Sequence, residues 1–536
     1  MVYCFHESST AAIVLQIIHI NIYKGIDFFF IWWYIIFGEI WVISPFYIKQ
    51  LIFFGRRTDL NKYINSKICS LPSAADLRAA LIAGENADVR NQIALLFDYN
   101  TFVETSAYTQ RGFSDFLATE KSNEFEGVIT GYGAIDGKLV FAFAEDATRM
   151  GGAIDERHAK KITDLYKLAM SNGAPVIGIF NSNGTDIFEG TAGLAAYGRI
   201  LKAVNKASGV IPQIAFVTGK CIGTAATIAA TFDFIVKCDN AELYVSSPAL
   251  TGVKNAQDSM VAFIGDEASC AGYVKSLVSF LPDNADTGVQ LTDSADNLNR
   301  MLGDLDFGGS GLSAVSVIVD NGVFVSLGGE TVKGVSTVFA TVGGVKCGIV
   351  ANSFSENSGK IDAAVAKKVA KFVNFCDSFS IPVVTLVDSL GIAIDKENES
   401  TFAPELAKLA AAYAGCEAPM VTVILGHAIG ASFVLLGSKA LGADLVYALD
   451  TAEIGALSAE SGVAFAWDKY ISEEKTRNEL INEWKMTVSS PVKAAASGEI
   501  DDIIGTNELR ARICSALLML SAKGKCSQNG RKVLPL

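Results

Sequence analysis

The feature that most constrains this chain is a repeat. Residues 207 positions apart match through a long series of glycines and prolines. Gly137 falls on Gly344, Gly152 on Gly359, Ile154-Asp155 on Ile361-Asp362, and Ala159-Lys160-Lys161 on Ala366-Lys367-Lys368. Pro175-Val176 falls on Pro382-Val383, Ser182 on Ser389, Gly184 on Gly391, Pro212 on Pro419, Gly219 on Gly426 and Gly223 on Gly430. Four residues are then inserted, and the register resumes with Asp233 on Asp444 and Ala241-Glu242 on Ala452-Glu453. A period of about two hundred residues is far too long for a solenoid. The chain holds two copies of one domain.

The best-defined stretch of each copy is the same. Ile211–Phe234 reads IPQIAFVTGKCIGTAATIAATFDF, and Ala418–Leu435 reads APMVTVILGHAIGASFVL. A β-rich run, Ile214–Thr218, meets Gly219, a short turn runs to Gly223, and a small-residue helical pattern starts at Thr224. Such a helix start leaves backbone N–H groups unpaired and pointing outward, where they stabilise negative charge. Facing a thioester carbonyl, they form an oxyanion hole. One such turn is equally explained by glycines placed for tight packing. Its recurrence at the same offset weakens that explanation.

Around these turns the pattern alternates strands and helices, the rhythm of an α/β fold. The first copy predicts a hairpin, Glu126–Tyr132 and Leu139–Glu145, around Asp136-Gly137, then helix 158–171, strand 176–180 and helix 194–207. The second copy predicts strands 316–320, 323–327, 338–342 and 346–352, helix 361–379, strand 383–387 and helix 404–414. The stretch from 473 to 522 reads as amphipathic helix. The expected organisation is an N-terminal extension (1–70), a first domain (71–252), a linker (253–311) with one helical patch at 268–281, a second domain (312–522) and a basic tail (523–536).

Composition narrows the function classes. A chain of 536 residues accommodates two large domains. A net charge of −13 argues against a nucleic-acid binder, which needs a basic face. It leaves room for an anionic ligand met by a few cations and helix N-termini. Ten cysteines occur singly with no CxxC and only four histidines, so no metal site is expected. Scattered apolar cysteines suit a reducing, cytoplasmic setting. Cys221 lies in the first turn, but no histidine near it in sequence offers a base for a nucleophile.

The first 55 residues differ from the rest, with Phe28-Phe29-Phe30-Ile31-Trp32-Trp33 at their centre. Translated sequence upstream of the true start is the reading taken first, although no Met follows Met1 until Met150. A membrane anchor over residues 28–47 is the second, with Glu39 and Pro45 against it. A signal peptide lacks both a basic start and a small-residue cleavage site.

Four blocks together resemble a known family. They are GAPVIGIFNSNGTDIFEG (Gly173–Gly190), Ser208–Phe234, VNFCDSFSIPVVTLVDSLG (Val373–Gly391) and Ala418–Gly455, with ADVRNQIALLFDYNTFVET (Ala87–Thr105) ahead of them. In order and spacing they are similar to the carboxyltransferase subunit of biotin-dependent acyl-CoA carboxylases and decarboxylases. The resemblance implies two tandem crotonase-like domains. It implies that a separate biotin carboxyl carrier protein presents the carboxyl group. A biotin carboxylase or a membrane decarboxylase subunit is a further partner. The acyl-CoA ester, of the acetyl, propionyl or methylmalonyl type, would be held as its enolate by main-chain donors. By the resemblance Gly223 and Thr224 are donors to the CoA thioester, and Ala431 and Ser432 donors to biotin. Gly184, Thr185, Gly190, Gly219, Gly391 and Gly430 shape the binding loops, and Val434 lines the acyl pocket. The active site would lie between subunits of a homo-oligomer.

Four departures stand out, one of them Ala431, which replaces the second glycine of the second turn. Thr224 replaces a family glycine, and its side chain is expected to crowd a thioester. Asp186 stands where the family usually has a basic residue, at an expected cost of about 1 kcal/mol to phosphate binding. Residues 395–399 form an acidic insert after the Asp388–Ile392 loop. Lys485-Met486 lacks the context of a biotinylation site, and there is no P-loop. Two alternatives stay open. One is a biotin-independent crotonase-type CoA enzyme using Asp186 or Glu189 as a catalytic carboxylate. The other is a non-catalytic scaffold.

Overall fold

A computed structural model describes residues 73–83, 86–111, 125–252, 260–302, 311–328, 332–394, 399–472 and 475–523. The possible anchor at 28–47, residues 395–398 of the acidic insert and most of the basic tail lie outside them. The chain divides into two compact units at Ala83. The first contributes one described helix, Ala74–Ala83. At its start Asp76 N–H donates to Ser73 Oγ, and Ser73 N–H donates back to the Asp76 carboxylate.

The second unit holds both copies. The strands of the first are β1 (Val103–Thr105), β2 (Val128–Ile135), β3 (Lys138–Glu145), β4 (Val176–Ser182), β5 (Gln213–Ile222), β6 (Phe234–Cys238), β7 (Glu242–Tyr244) and β8 (Phe263–Gly265). Those of the second are β9 (Phe324–Leu327), β10 (Val335–Val342), β11 (Val345–Asn352), β12 (Val383–Ser389), β13 (Met420–Ile429), β14 (Leu445–Leu449), β15 (Glu453–Gly455) and β16 (Asp502–Ile504). Each copy forms one sheet. The orders are β1-β2-β3-β4-β5-β6-β8 and β16-β14-β13-β12-β11-β10-β9, with β7 on β5 and β15 on β13. An antiparallel hairpin feeds a parallel core in both. Registers repeat with the sequence offset: Phe141 opposes Val176 as Gly348 opposes Val383, and Val176 opposes Gln213 as Val383 opposes Met420.

Central strands β4 and β12 are nearly all buried, as parallel strands covered by helices must be. Helix α1 (Glu156–Asn172) packs its apolar stripe, Ile162, Leu165 and Ala169, into the first layer. Asp155 caps it, accepting from His158 N–H, and Gly173 ends it in the left-handed conformation. Helices α2 (Thr191–Ala207), α3 (Thr224–Ala230) and α4 (Glu267–Phe280) also belong to the first copy, as does the helix Ala87–Leu96. The second holds α5 (Gly311–Ile318), α6 (Ala363–Ser378), α7 (Glu399–Ala414), α8 (Ala431–Leu435) and α9 (Leu509–Leu520). The copies meet through aromatic rings: Phe234 lies 5.8 Å from Phe339 and 4.7 Å from Phe375, edge to face.

Three expectations are corrected. Residues 316–320, expected as a strand, fall largely in helix α5; the buried positions Gly311, Ala314, Val315 and Ile318 carry helical spacing, and this outweighs the β-branched composition. Asp502–Ile504 is a strand, paired with β14, inside the stretch expected to be helical. The stretch expected as a linker supplies β8 and α4 to the first layer, and Leu291 bridges to Val345 in the second. Among the described residues, no helix is long and apolar enough to cross a membrane.

Candidate active site

The two turns sit at the C-terminal ends of β5 and β13. Gly219 does not open the first turn, because β5 continues to Ile222. Its role is to make room. A Cβ on Gly219 would stand 2.3 Å from Asn181 Oδ1, and one on Gly426 would stand 2.5 Å from Asp388 Oδ1. Asn181 Oδ1 accepts from Lys220 N–H (3.0 Å), and Asp388 Oδ1 accepts from His427 N–H (2.8 Å). These side chains pin the irregular ends of the strands, where the ladder with β4 and with β12 slips register.

The chain turns at Gly223 (φ 60°, ψ −115°) and Gly430 (φ 59°, ψ −131°), a region closed to residues with a Cβ. Gly223 N–H donates to Tyr244 O (3.0 Å), and Gly430 N–H donates to Gly455 O (2.8 Å). Short strands β7 and β15 thus take up both glycine amides. This corrects the expectation for Gly223, whose N–H is not available as a donor. The pair equivalent to Ala431 and Ser432 is Thr224 and Ala225. No side chain caps either helix start. The first α-helical bond of α3 runs from Thr227 to Gly223 O, so the amides of residues 224–226 precede any intrahelical acceptor. Residues 431–433 are in the same position in α8.

A second loop faces each turn. In the first copy Asn183 N–H donates to Gly151 O, Gly184 N–H to Ser182 Oγ, and Asp186 N–H to Ile154 O. In the second copy Leu390, Gly391 and Ala393 repeat these bonds to Ser358 O, Ser389 Oγ and Ile361 O. The remaining amide differs. Thr185 N–H donates to Thr224 Oγ1 at 2.8 Å, with the two hydroxyls 2.9 Å apart. Its counterpart, Ile392 N–H, has no partner among the described residues, and Ala431 has no hydroxyl to offer. Beside Ala431 opens a cavity of about 470 Å³, lined by Gly430, Phe433, Val434, Ile454 and Lys493 among others. Ser432 is buried, and its hydroxyl donates to Ile429 O (2.8 Å). Gly190 begins α2 with φ 56°, and Gly391 has φ 104°.

A family model described as carboxyl transferase domain matches residues 84–532. The chain belongs to the carboxyl transferase family. It is 33% identical to the methylmalonyl-CoA decarboxylase subunit alpha of Veillonella parvula, over 81% of this chain and 90% of that one. It is 31% identical to the propionyl-CoA carboxylase beta chain of Saccharopolyspora erythraea, over 81% and 87%. The transcarboxylase 12S structure described as a hexamer with methylmalonyl-CoA bound superposes with a TM-score of 0.75 at 31% identity, covering 84% of this chain and 91% of that one. The two sheets are the two tandem crotonase-like domains of this carboxyl transferase fold.

Side chains around the carboxyl transferase turns can now be placed. Asp186 is buried, 2.7 Å from the Arg111 guanidinium, and its carboxylate also caps Phe188 N–H. Its charge is met inside the protein, so the expected penalty on a phosphate does not follow from its sign. Glu189 accepts from Glu156 N–H at 2.9 Å. Cys221 is fully buried, and burial pushes its thiol pKa well up, which removes it as a nucleophile.

Two features were missed by sequence reasoning. Behind the first loop, His158 is wholly buried between Glu126 (3.6 Å) and Glu145 (3.8 Å). Burial favours the neutral ring, but the two glutamates facing its nitrogens outweigh it and raise the pKa to about 9. Burial raises the Glu145 carboxyl, whose Oε2 accepts from Asn181 N–H. At the second turn, His427 Nδ1 lies 2.8 Å from Asp388 Oδ1, and its ring stacks on Phe354. Each partner lies more than ten positions away on another element, so no local spacing marks either pair.

Proposed function

We propose that this carboxyl transferase moves a carboxyl group between biotin and an acyl-CoA. The observation that carries the reading is the pair of matched turns in one doubled fold, each with main-chain N–H groups at a helix start and none capped by an acidic side chain. Proton abstraction next to a thioester places charge on its oxygen. Amides fixed by the sheet register meet that charge without reorganising, and removing one such donor typically costs about 3 kcal/mol of barrier. When bound, biotin supplies or accepts the carboxyl group. Ile392, Ala431 and Ser432 N–H suit its ureido oxygen, and Phe433 and Val434 suit an apolar ring system. Thr224 and Ala225 N–H suit the thioester. The donors lie on different copies, which accords with a homo-oligomer whose site is shared between subunits, as the hexameric relative's assembly suggests. A biotin carboxyl carrier protein, with a biotin carboxylase or a membrane decarboxylase subunit, completes the set of partners.

The test is decarboxylation of methylmalonyl-CoA or malonyl-CoA by the purified full chain with free biotin. Turnover that rises with biotin and saturates is the expected result. Biotin-independent turnover would overturn it in favour of a crotonase-type enzyme; the engagement of Asp186 with Arg111 and of Glu189 with Glu156 N–H speaks against that. Thr224 favours one other reading, a non-catalytic scaffold, because its hydroxyl fills the first turn. Intact oligomers without turnover under either condition would support that reading.

A further inference from the structure

We propose that Thr224 is a built-in occupant of the first oxyanion site, its hydroxyl holding the place of the substrate oxygen and limiting access to it. The proposal rests on the carboxyl-transfer reading for what the site binds, but not for the occlusion itself. The argument is internal to the molecule. The loops 183–186 and 390–393 match bond for bond at three amides, and they differ only at the amide facing the helix start. In the first copy Thr185 N–H is spent on Thr224 Oγ1 at 2.8 Å. In the second, Ile392 N–H is unspent among the described residues.

The surrounding geometry differs at the same atom. A Cβ built on Gly184 would meet Thr224 Oγ1 at 2.9 Å and Ile222 O at 3.0 Å, whereas one on Gly391 would meet only Ile429 O, at 3.2 Å. The carbonyl wall is common to both copies, and the hydroxyl is the addition. An oxygen that accepts from Thr185 N–H and stands over the Thr224 helix start has the position and polarity of a bound carbonyl oxygen. The Thr185 hydroxyl, 2.9 Å away, steadies it. A thioester entering this turn must first displace the side chain by rotation about χ1. The Thr224 hydroxyl therefore acts by holding the Thr185 donor rather than by touching reacting atoms, and it makes the first turn selective for ligands that can displace it.

The test compares Thr224→Ala, which copies Ala431, with Thr224→Ser, which keeps the hydroxyl. Amide hydrogen exchange read by mass spectrometry over residues 183–186 reports the occlusion directly. Propionyl-CoA binding by calorimetry and the kcat and KM of biotin-dependent methylmalonyl-CoA decarboxylation report its consequence. In Thr224→Ala we expect one amide of this peptide to lose protection, propionyl-CoA to bind roughly tenfold tighter, the worth of one freed donor, and KM to fall more than kcat changes. Thr224→Ser should keep the protection and show less than a third of the gain. Unchanged exchange in Thr224→Ala overturns the proposal, and so does a freed amide with no gain in binding. Tighter binding without turnover in any of the proteins would leave the occlusion standing and defeat the carboxyl-transfer reading instead. Melting temperature and oligomer size of both variants establish that the fold is intact.

Discussion

The two copies share a backbone and differ in where they keep their polar groups. Sheet order, register, glycine turns and the bonds of the facing loop repeat at the same offset. The first copy carries a hydroxyl in its amide cradle and a titratable cluster of Glu126, Glu145 and His158 in its core. The second has Ala431 in the cradle, Val365 at the position of His158 and Asn352 at that of Glu145. The shared parts are those demanded by backbone geometry: room for Asn181 and Asp388 against Gly219 and Gly426, and positive φ at Gly223 and Gly430. The parts that differ are side chains. Duplication here preserves the scaffold that positions donors and frees each copy to set its own electrostatics.

The largest expected effect tests the core difference. Glu145→Ala leaves His158 with one carboxylate in a fully buried site, and losing a buried ionic partner costs about 4 kcal/mol. Val365→Ala, at the matching place in the second copy, removes only buried methyl groups, for about 2 kcal/mol. Urea unfolding of the two variants measures both. Equal losses would show that the cluster contributes no more than packing does.

The next effect tests the cradle from the opposite side. Ala431→Thr places a hydroxyl where the first copy has one, within reach of Ile392 N–H. If the second turn is the oxyanion site proposed above, taking up one of its donors lowers kcat for biotin-dependent decarboxylation about 100-fold with little change in melting temperature. A variant as active as the parent would show that the Ile392 amide does not serve the reaction.

These contrasts also separate what was legible in the sequence from what was not. Glycines and prolines at a constant offset carried the duplication, and with it the paired registers, because each marks a backbone need that recurs with the fold. Thr224 was legible as a departure, but its bond to Thr185 was not, since the partners lie 39 positions apart. Gly219 was legible as important and misplaced in role, because the group it accommodates, Asn181, arrives from a neighbouring strand. Helix α5 was misread because Val315, Val317 and Ile318 suit a strand in isolation, and only burial at 311, 314, 315 and 318 reveals the period. His158 looked like an ordinary position on an amphipathic helix, and its two glutamates belong to β3 and the approach to β2.

The smallest effect is the pH dependence that this cluster imposes on the first copy. His158 has a folded pKa of about 9 against an ordinary 6.5, so its contribution is fully present below 6.5 and is lost as pH rises through 9. Glu145, whose carboxyl is also raised by burial, acts in the same direction. Between pH 7 and 9 the histidine alone should account for a loss of about 2 kcal/mol. Total stability will not reveal it, because Lys161 and its counterpart Lys368 are both held near 8 by burial and oppose it. For a lysine depressed in the fold, the unfolded chain keeps the proton longer, and stability rises with pH above 8. Subtraction isolates the cluster. Unfolding free energies of the parent and of a variant with glutamine at 145 and 158, which keeps the Glu126 charge that acts on Lys161, should differ by about 2 kcal/mol less at pH 9 than at pH 7. A difference that stays flat across that window would mean that His158 is neutral in the fold, and that the core contrast between the copies is one of shape rather than charge.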